Sequence, residues 1–297
     1  MTGREMGFLL LGSSLGNPDR KKLTAPQLRV LAERVSNMAI PDPDRALAME
    51  DLTALGYGSD MARRILMLLE EEDLLQHYLC RGRQCGCVPL TRVSGSYPLI
   101  LRKRLGLDSP ACLWAKGDLA ILDTPAVALV GSRELRPENL AFAQAAGHQA
   151  AEQGYTLISG NARGADQAAQ KAALEAGGRV ICVVADKLQN KDDDPRILYL
   201  SEEDFDQPFS PQRALSRNRV IHALGQKTLV AQSSLRTGGT WDGTVKNLRF
   251  HWSPVFCFQD GSESINLLSQ MGAGLISADA LKDLSALTPQ QNSFLDP

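Results

Sequence analysis

The hydrophobic positions of the first part of the chain recur at helical spacing. Leu28, Leu31 and Val35 follow the capping box Thr24-Ala25-Pro26-Gln27, and this pattern predicts a helix over residues 24–37. Asp44 is expected to cap a second helix, and Ser59 is expected to begin a third. The first part of the chain, residues 1–93, is therefore predicted to be a small helical domain with a linker.

A glycine turn, Leu55-Gly56-Tyr57-Gly58, joins the second and third predicted helices. Two short helices around such a turn can form a helix-hairpin-helix, whose turn amides bind a DNA backbone without reading its sequence. They can equally form a small bundle that serves packing or protein contact. The residues of this segment favour the bundle and leave the DNA-binding interpretation as an alternative.

The second part of the chain alternates short apolar runs with alanine-rich helical segments. Strands are predicted over 126–130, 155–158 and 180–184, and helices over 138–153 and 165–176. Parallel neighbours need a crossover helix, so this alternation predicts a doubly wound, mostly parallel α/β sheet. Further strands are expected at 197–200, 228–231, 255–258 and 274–276, with further helices at 211–223 and 265–271.

We expect the sheet domain to occupy residues 94–285 and to begin with a loop-rich connector. Residues 286–297 show no periodicity and are expected to form a frayed tail. The apolar run at 6–11 is too short for a secretory core or a membrane span. A cytoplasmic protein is the corresponding expectation.

The formal net charge of −2 excludes a uniformly basic surface, so nucleic-acid binding would depend on local clusters of cations. Residues 79–107 contain six Lys and Arg residues and no Asp or Glu. Such a run is usually a solvated face. Acidic residues gather instead at 192–194 and at 202–206. Four of the six cysteines, Cys80, Cys85, Cys87 and Cys112, lack the paired C-x2-C spacing of a zinc site, so no metal is expected.

Two turns follow successive predicted strands and carry the candidate chemistry of the chain. They are Gly131-Ser132-Arg133 and Ser159-Gly160-Asn161-Ala162-Arg163-Gly164-Ala165-Asp166. In a parallel sheet these turns lie side by side, where glycines admit a ligand and helix N-termini offer N–H groups to an anion. With Arg133 and Arg163 beside them, the turns predict a phosphate site. The alternative is a pair of tight turns with surface arginines and Asp166 as a helix cap.

These turns, together with ordered motifs on either side of them, resemble the DNA-processing protein A (DprA, or Smf) family. That family belongs to a wider superfamily that includes LOG-type nucleotide-binding proteins. The resemblance covers about residues 97–277. Its other motifs are Tyr97-Pro98, Leu113-x-x-Lys116-Gly117-Asp118, Ala172-Ala173-Leu174, Arg217-Asn218-Arg219-Val220-Ile221 and Leu235-Arg236-Thr237-Gly238-Gly239-Thr240.

The resemblance implies an extended Rossmann-like fold, often dimeric, that binds single-stranded DNA in a basic pocket and helps to load a RecA-type recombinase. It implies no catalytic residue, no metal and no cofactor. Five arginines are expected to converge on one or two phosphates, and Trp241, Phe250 and Trp252 are the candidates for base stacking. The implied DNA- or phosphate-binding residues are Gly131, Ser132, Arg133, Ser159, Gly160, Arg163, Gly164, Asp166, Arg217, Asn218, Arg219, Arg236, Thr237, Gly238, Gly239 and Thr240.

Two departures from related patterns bear on the ligand. Gln170 stands where the DprA family usually has a histidine. Residues 237–244 look like the glycine-rich P-G-G-x-G-T-x-x-E loop of the LOG-type phosphoribohydrolases, but Thr237 replaces its proline and the glutamate is missing. Hydrolysis of a nucleotide is therefore not expected. Binding of a free or signalling nucleotide, in defence or signalling, is the alternative to DNA binding.

Overall fold

The computed structural model describes residues 1–38 and 45–289. Within these residues, five helices precede the first strand: α1 (Gly3–Gly12), α2 (Ala25–Ser36), α3 (Met49–Ala54), α4 (Ser59–Leu69) and α5 (Glu72–Gln84). The predictions of α2 and α4 are confirmed, and the capping box of Thr24 and Gln27 forms both of its hydrogen bonds. Helices α1 and α5 were not predicted. The expected cap at Asp44, like residues 290–297 of the expected tail, lies outside the described residues.

The helical part has its own apolar core. Leu28 and Leu31 of α2 pack with Leu52 of α3 and Ile65 of α4. Beside this core, the buried guanidinium of Arg20 donates to main-chain oxygens of α1 and of the turn after it, and it forms a 2.6 Å ion pair with Glu71. The helices are therefore joined by side-chain packing and by the hydrogen bonds and ion pair of Arg20.

The second part of the chain is built on one nine-stranded sheet in the order β1-β2-β6-β5-β4-β3-β7-β8-β9. The pairs among β3 to β9 are parallel, and β1 and β2 add an antiparallel edge beside β6. The strands are β1 (Cys87–Thr91), β2 (Cys112–Lys116), β3 (Ala126–Val130), β4 (Thr156–Ser159), β5 (Val180–Val183), β6 (Ile197–Ser201), β7 (Thr228–Val230), β8 (Val255–Phe258) and β9 (Gly274–Ile276). The fold is therefore a Rossmann-like, mostly parallel α/β sheet with a small helical N-terminal part. Strand β1 lies before residue 94, at which the sheet domain was predicted to begin.

Helices cover both faces of the sheet. Helices α7 and α8 pack on one face together with α1 and α5, and α6, α10, α11 and α12 pack on the other. The helices of this part are α6 (Leu99–Leu105), α7 (Pro137–Glu152), α8 (Ala165–Glu175), α9 (Pro211–Ser216), α10 (Asn218–Leu224), α11 (Gly238–Phe250) and α12 (Glu263–Gln270). Among the residues that the structure describes, no helix is long and apolar enough to cross a bilayer.

Two predicted elements differ from the structure. The helix predicted over 211–223 is broken at Arg217 into α9 and α10, and the glycine-rich stretch after Thr237 forms the first turn of α11. The strand order reverses at β3, because β4 to β6 lie on one side of it and β7 to β9 on the other. Ligands of doubly wound folds bind at the carboxyl ends of the strands beside such a reversal.

Candidate functional site

The turns after β3 and β4 are packed directly against each other. The backbone N–H of Ala165, at the start of α8, donates to the carbonyl oxygen of Ser132 at 3.2 Å. Gly164, with φ of +89°, makes this contact possible, because a Cβ there would lie 2.5 Å from the carbonyl oxygens of Ser132 and Arg133. The sequence therefore brings Arg133 and Arg163 onto adjoining turns.

Asp166 shapes the second turn from inside the protein. Its buried carboxylate accepts hydrogen bonds from the backbone N–H groups of Gly160, at 3.0 Å, and Ala162, at 3.2 Å. Burial raises the pKa of Asp166, while the positive charges of Arg217 and Arg133 act in the opposite direction. This carboxylate holds the turn in shape and does not face the cleft described below.

Ser159 also points inward. Its hydroxyl is fully buried and accepts a hydrogen bond from the side-chain amide of Gln170. The expectation that this hydroxyl would contact a phosphate has no counterpart in the geometry, because the side chain is enclosed between β4 and α8. Gln170 serves here as the hydrogen-bond partner of Ser159.

Arg217 is a buried guanidinium seated behind the turn after β4. Its Nη2 donates to the carbonyl oxygen of Gly160 at 2.9 Å, and its Nε has no hydrogen-bond partner among the described residues. A Cβ at position 160 would lie 1.6 Å from Nη1 of Arg217, so Gly160 provides the space for this side chain. Burial lowers the pKa of Arg217, and the nearby charge of Asp166 opposes this effect.

A cleft of about 410 Å³ lies at the carboxyl ends of β4 and β5, in front of Arg217. Four of its side chains are cationic and one is acidic. Arg163 is 75% exposed and pairs only at 3.7 Å with the exposed Glu134, so its guanidinium is available to a ligand. The lining residues are Arg133, Gly160, Asn161, Ala162, Arg163, Val184, Ala185, Asp186, Lys191, Phe209, Ala214 and Arg217.

One cationic and one aromatic side chain of the cleft were not predicted from the sequence. Lys191 lies at the cleft and forms a 2.7 Å ion pair with Asp186. Phe209 presents a ring that is 56% exposed on the wall of the cleft. Its signal in the sequence is an aromatic residue between two prolines, Pro208 and Pro211, in a stretch that otherwise reads as polar and irregular.

The aromatic residues that were predicted to stack on bases do not line the cleft. Trp241 packs against the core on the other face of the sheet, and Trp252 is buried there. Phe250 is exposed but stacks on Trp252, with ring centroids 5.8 Å apart, at the C-terminal end of α11. Phe209, by contrast, lines the cleft together with its cationic side chains.

Other predicted residues surround the cleft without lining it. Arg219 forms a 3.2 Å ion pair with the nearly buried Glu202, and Asn218 donates to the carbonyl oxygen of Gly239 at 3.0 Å. The main-chain N–H of Ser132 donates to the carbonyl oxygen of Gln232 at 3.1 Å, which joins the turn after β3 to the segment after β7. Gly131 belongs to the turn after β3 and lies beside Ala165. The remaining predicted residues belong to the segment after β7 and the start of α11, where exposure falls from Arg236 to the half-buried Thr240; they are Arg236, Thr237, Gly238, Gly239 and Thr240.

The four cysteines considered as zinc ligands do not form a metal site. Cys87 is buried and Cys80 is exposed, and all six cysteines are free thiols. Within residues 1–38 and 45–289, no group of three or more His, Cys, Asp or Glu side chains is arranged as metal ligands would be.

Comparisons with known proteins all indicate the same family. A family model described as DNA recombination-mediator protein A matches residues 89–284. DNA processing protein DprA of Streptococcus pneumoniae is 29% identical over 185 residues, which are 58% of this chain and 65% of that protein. The chain thus spans less than two thirds of the length of this curated relative.

Two solved structures share the fold. The X-ray structure of DprA from Streptococcus pneumoniae gives a TM-score of 0.72 at 24% identity and covers 95% of this chain and 98% of that one. A structure of DNA processing protein A from Helicobacter pylori, described by its single-stranded DNA binding mode, gives a TM-score of 0.53 at 24% identity, with 64% and 90% covered.

Proposed function

Because this chain belongs to the DNA recombination-mediator protein A family, we propose that it binds single-stranded DNA in the cationic cleft and acts in DNA uptake or recombination. The observation that carries the proposal is the convergence of Arg133, Arg163 and Arg217 on one cleft at the carboxyl ends of parallel strands. In this proposal the protein is a homodimer that presents the strand to a RecA-type recombinase. It performs no chemistry on the strand.

The cleft offers a separate group for each part of a nucleotide. The exposed guanidiniums of Arg133 and Arg163 are suited to two-point hydrogen bonds with phosphate oxygens. Arg217 adds positive charge from behind the turn. Phe209 supplies a ring face on which any base can stack, so binding by these groups would be independent of sequence.

The environment of Asp166 supports a binding role over a hydrolytic one. A general acid or base needs a carboxylate within reach of the substrate. The Asp166 carboxylate is buried and already accepts two backbone hydrogen bonds. In this proposal its role is to keep the turn in a conformation that exposes Arg163.

A thermal-shift series with a mononucleotide and with oligonucleotides of increasing length, at two salt concentrations, tests the proposal. We expect stabilisation to grow with length and to fall with salt, because each phosphate contact releases counterions. Arg133→Ala and Arg163→Ala should each weaken oligonucleotide binding by about tenfold, nearly equally for all sequences. Lys171→Ala is the matched control, since Lys171 is exposed on α8, pairs with Glu175 and does not line the cleft.

Stabilisation that reaches its maximum with the mononucleotide would contradict the DNA proposal and would favour a nucleotide-sensing module. The recombinase step is tested separately, by measuring whether the wild-type protein, but not Arg163→Ala, speeds assembly of a RecA-type recombinase on single-stranded DNA. Sedimentation of the free protein tests the homodimer.

A further inference from the structure

Three arginines come together outside the cleft, where α2, the loop after β1 and α6 meet. Nη1 of Arg102 donates to the carbonyl oxygen of Arg92 at 3.2 Å. Burial lowers the pKa of Arg92, and the positive charges of Arg102 and Arg29 lower it further, against an opposing effect of Tyr97. The positive charges of Arg102 and Arg29 thus both act on the guanidinium of Arg92. We call Arg29, Arg92 and Arg102 the second arginine cluster.

This cluster has fewer acceptors than its charge requires. The half-buried guanidinium of Arg92 forms no hydrogen bond or ion pair with any residue that the structure describes. Within the same described ranges, the buried Nε of Arg29 also has no partner. The exposed carboxylate of Asp108 pairs with Arg29 at 3.2 Å. Because buried donors and like charges without acceptors are unfavourable, the cluster is suited to an anion with several oxygen atoms.

Apolar side chains flank the second arginine cluster. Leu99 is 65% exposed and Val93 is 42% exposed. Leu99 and Arg102 are three residues apart on α6, so they share one face of that helix. A surface that combines guanidiniums with exposed apolar groups can contact both the phosphates and the bases of a single strand.

The cluster is connected to the cleft through the first turn of α10. Nε of Arg219 donates to the carbonyl oxygen of Asp108 at 3.1 Å, and the carboxylate of Asp108 pairs with Arg29. Arg219 follows Arg217 by two residues, and Arg217 lines the cleft. A strand that leaves the cleft past α10 therefore approaches the second arginine cluster.

We propose that Arg29, Arg92 and Arg102 form a second phosphate site, which binds the backbone of the same single strand beyond the cleft. This inference rests on the proposed function and adds to it a role for the helical N-terminal part, which contributes Arg29 from α2. In the cation-rich segment 79–107, Arg92 and Arg102 then have a binding role. Arg104 of the same segment has a structural one, because it donates hydrogen bonds to the carbonyl oxygens of Ala223 and Gly225.

The test compares a short and a long oligonucleotide by fluorescence anisotropy with the full chain. The short one, of about six nucleotides, is chosen to fill the cleft alone, and the long one, of about thirty nucleotides, to reach both sites. We expect Arg102→Glu and Arg29→Gln to leave the affinity for the short oligonucleotide unchanged. Both variants should bind the long one about tenfold more weakly, and the salt dependence should fall by about 0.7 for each phosphate that the variant no longer neutralises.

Arg83→Glu is the matched control, because Arg83 is exposed, belongs to the same acid-free segment and lies outside the cluster. Arg163→Ala provides the complementary result, since it should weaken the binding of both oligonucleotides. Equal affinity of Arg102→Glu and the wild type for the long oligonucleotide would overturn the second site and leave the cleft intact. Failure of the wild type to bind either oligonucleotide would overturn the proposed function and the second site together.

Discussion

The wall of the cleft presents one aromatic ring among cationic groups. Phe209 is 56% exposed and lies with Arg163 and Arg217 around the same space. An exposed aromatic ring next to cationic groups is an arrangement on which the bases of a single strand can stack. Its position beside guanidiniums is the basis for the stacking role that we propose for it, whereas the three aromatic residues named as candidates from the sequence lie outside the cleft.

We expect Phe209→Ala to weaken the binding of single-stranded DNA by about 1–3 kcal/mol, the usual contribution of one base stacked on an aromatic ring. The loss should be similar for all base compositions. Phe250→Ala is the control, because Phe250 is also exposed but lies at the far end of α11. Titration of a fluorescent oligonucleotide against the two variants measures the difference, and equal affinities would exclude Phe209 from the binding surface.

Single residues of the site were predicted from the sequence only as far as strand ends determine their position. Arg133 and Arg163 follow adjacent parallel strands, so their proximity could be expected before the structure was known. Arg219 was also expected in the cleft. It follows Arg217 by two residues on a helix, so its side chain points in a different direction and pairs with Glu202. Ser159 and Asp166 were expected at the ligand, but both side chains have buried hydrogen-bond partners that the spacing of residues in the sequence does not show.

Helices α10 and α11 are joined to β7 by a buried polar network. Nδ1 of His222 lies 3.1 Å from Nδ2 of Asn247 and 3.2 Å from Oγ1 of Thr228. The hydroxyl of Ser253 forms hydrogen bonds with the side chains of both Asn247 and Thr228. All four side chains are buried. Burial lowers the pKa of His222 to about 3. The imidazole is therefore neutral in the folded protein over the whole neutral and mildly acidic range.

This network predicts a specific sensitivity to acid. Between the ordinary histidine pKa of about 6.5 and the folded-state pKa of about 3, the unfolded chain binds a proton at His222 that the folded protein does not bind. The free energy of unfolding should therefore fall as the pH is lowered. For this one group the loss is about 2 kcal/mol between pH 7 and pH 5.

Urea denaturation of the wild type and of His222→Gln at pH 7 and pH 5 measures this effect. We expect the wild type to lose about 2 kcal/mol more than the variant over this interval. His148→Gln, at an exposed position of α7, serves as the control and should behave as the wild type does. Parallel losses in all three proteins would show that His222 does not carry the pH dependence.

At the scale of elements, the parallel strands and their crossover helices were predicted well because each strand is a continuous, mostly apolar run and each helix between them is rich in alanine. Helix α11 was not predicted, because Gly238 and Gly239 at its start have low helix propensity and tertiary packing decides its conformation. The break at Arg217 was also not predicted, since no glycine or proline marks it. It occurs where the arginine turns inward to the carbonyl oxygen of Gly160.

Over the whole molecule, the helical part is fastened to the sheet through an acidic segment near the cleft. Asp204 accepts hydrogen bonds from the hydroxyl of Ser13 and the main-chain N–H of Ser14, each at 2.7 Å. Tyr78 of α5 donates to Asp206 at 2.7 Å. The sequence shows the acidic run at 202–206 but assigns it no structural role. Its charges hold the N-terminal helices in place, and only long-range contacts that leave no local period could have shown this.

We expect Asp204→Ala to lower the free energy of unfolding by about 2 kcal/mol, because Ser13 and Ser14 would be left without their buried acceptor. The variant should also be cleaved faster by protease in the first thirty or so residues, since local opening becomes easier. Asp192→Ala, which removes an exposed carboxylate of the neighbouring acidic run, should leave both measurements unchanged. Unaltered stability of the Asp204 variant would show that this contact is not what fastens the two parts.

The contact between Ser13 and Asp204 has a thermodynamic consequence, because Asp204 precedes Phe209 by five residues. We expect a ligand that stiffens the segment around Phe209 to slow amide hydrogen exchange in the helix that ends beside Ser13 as well. Because linkage is reciprocal, a change that loosens this helix should weaken ligand binding by the same coupling free energy. Amide hydrogen exchange of α1, measured with and without an oligonucleotide, is therefore the direct measure of this coupling.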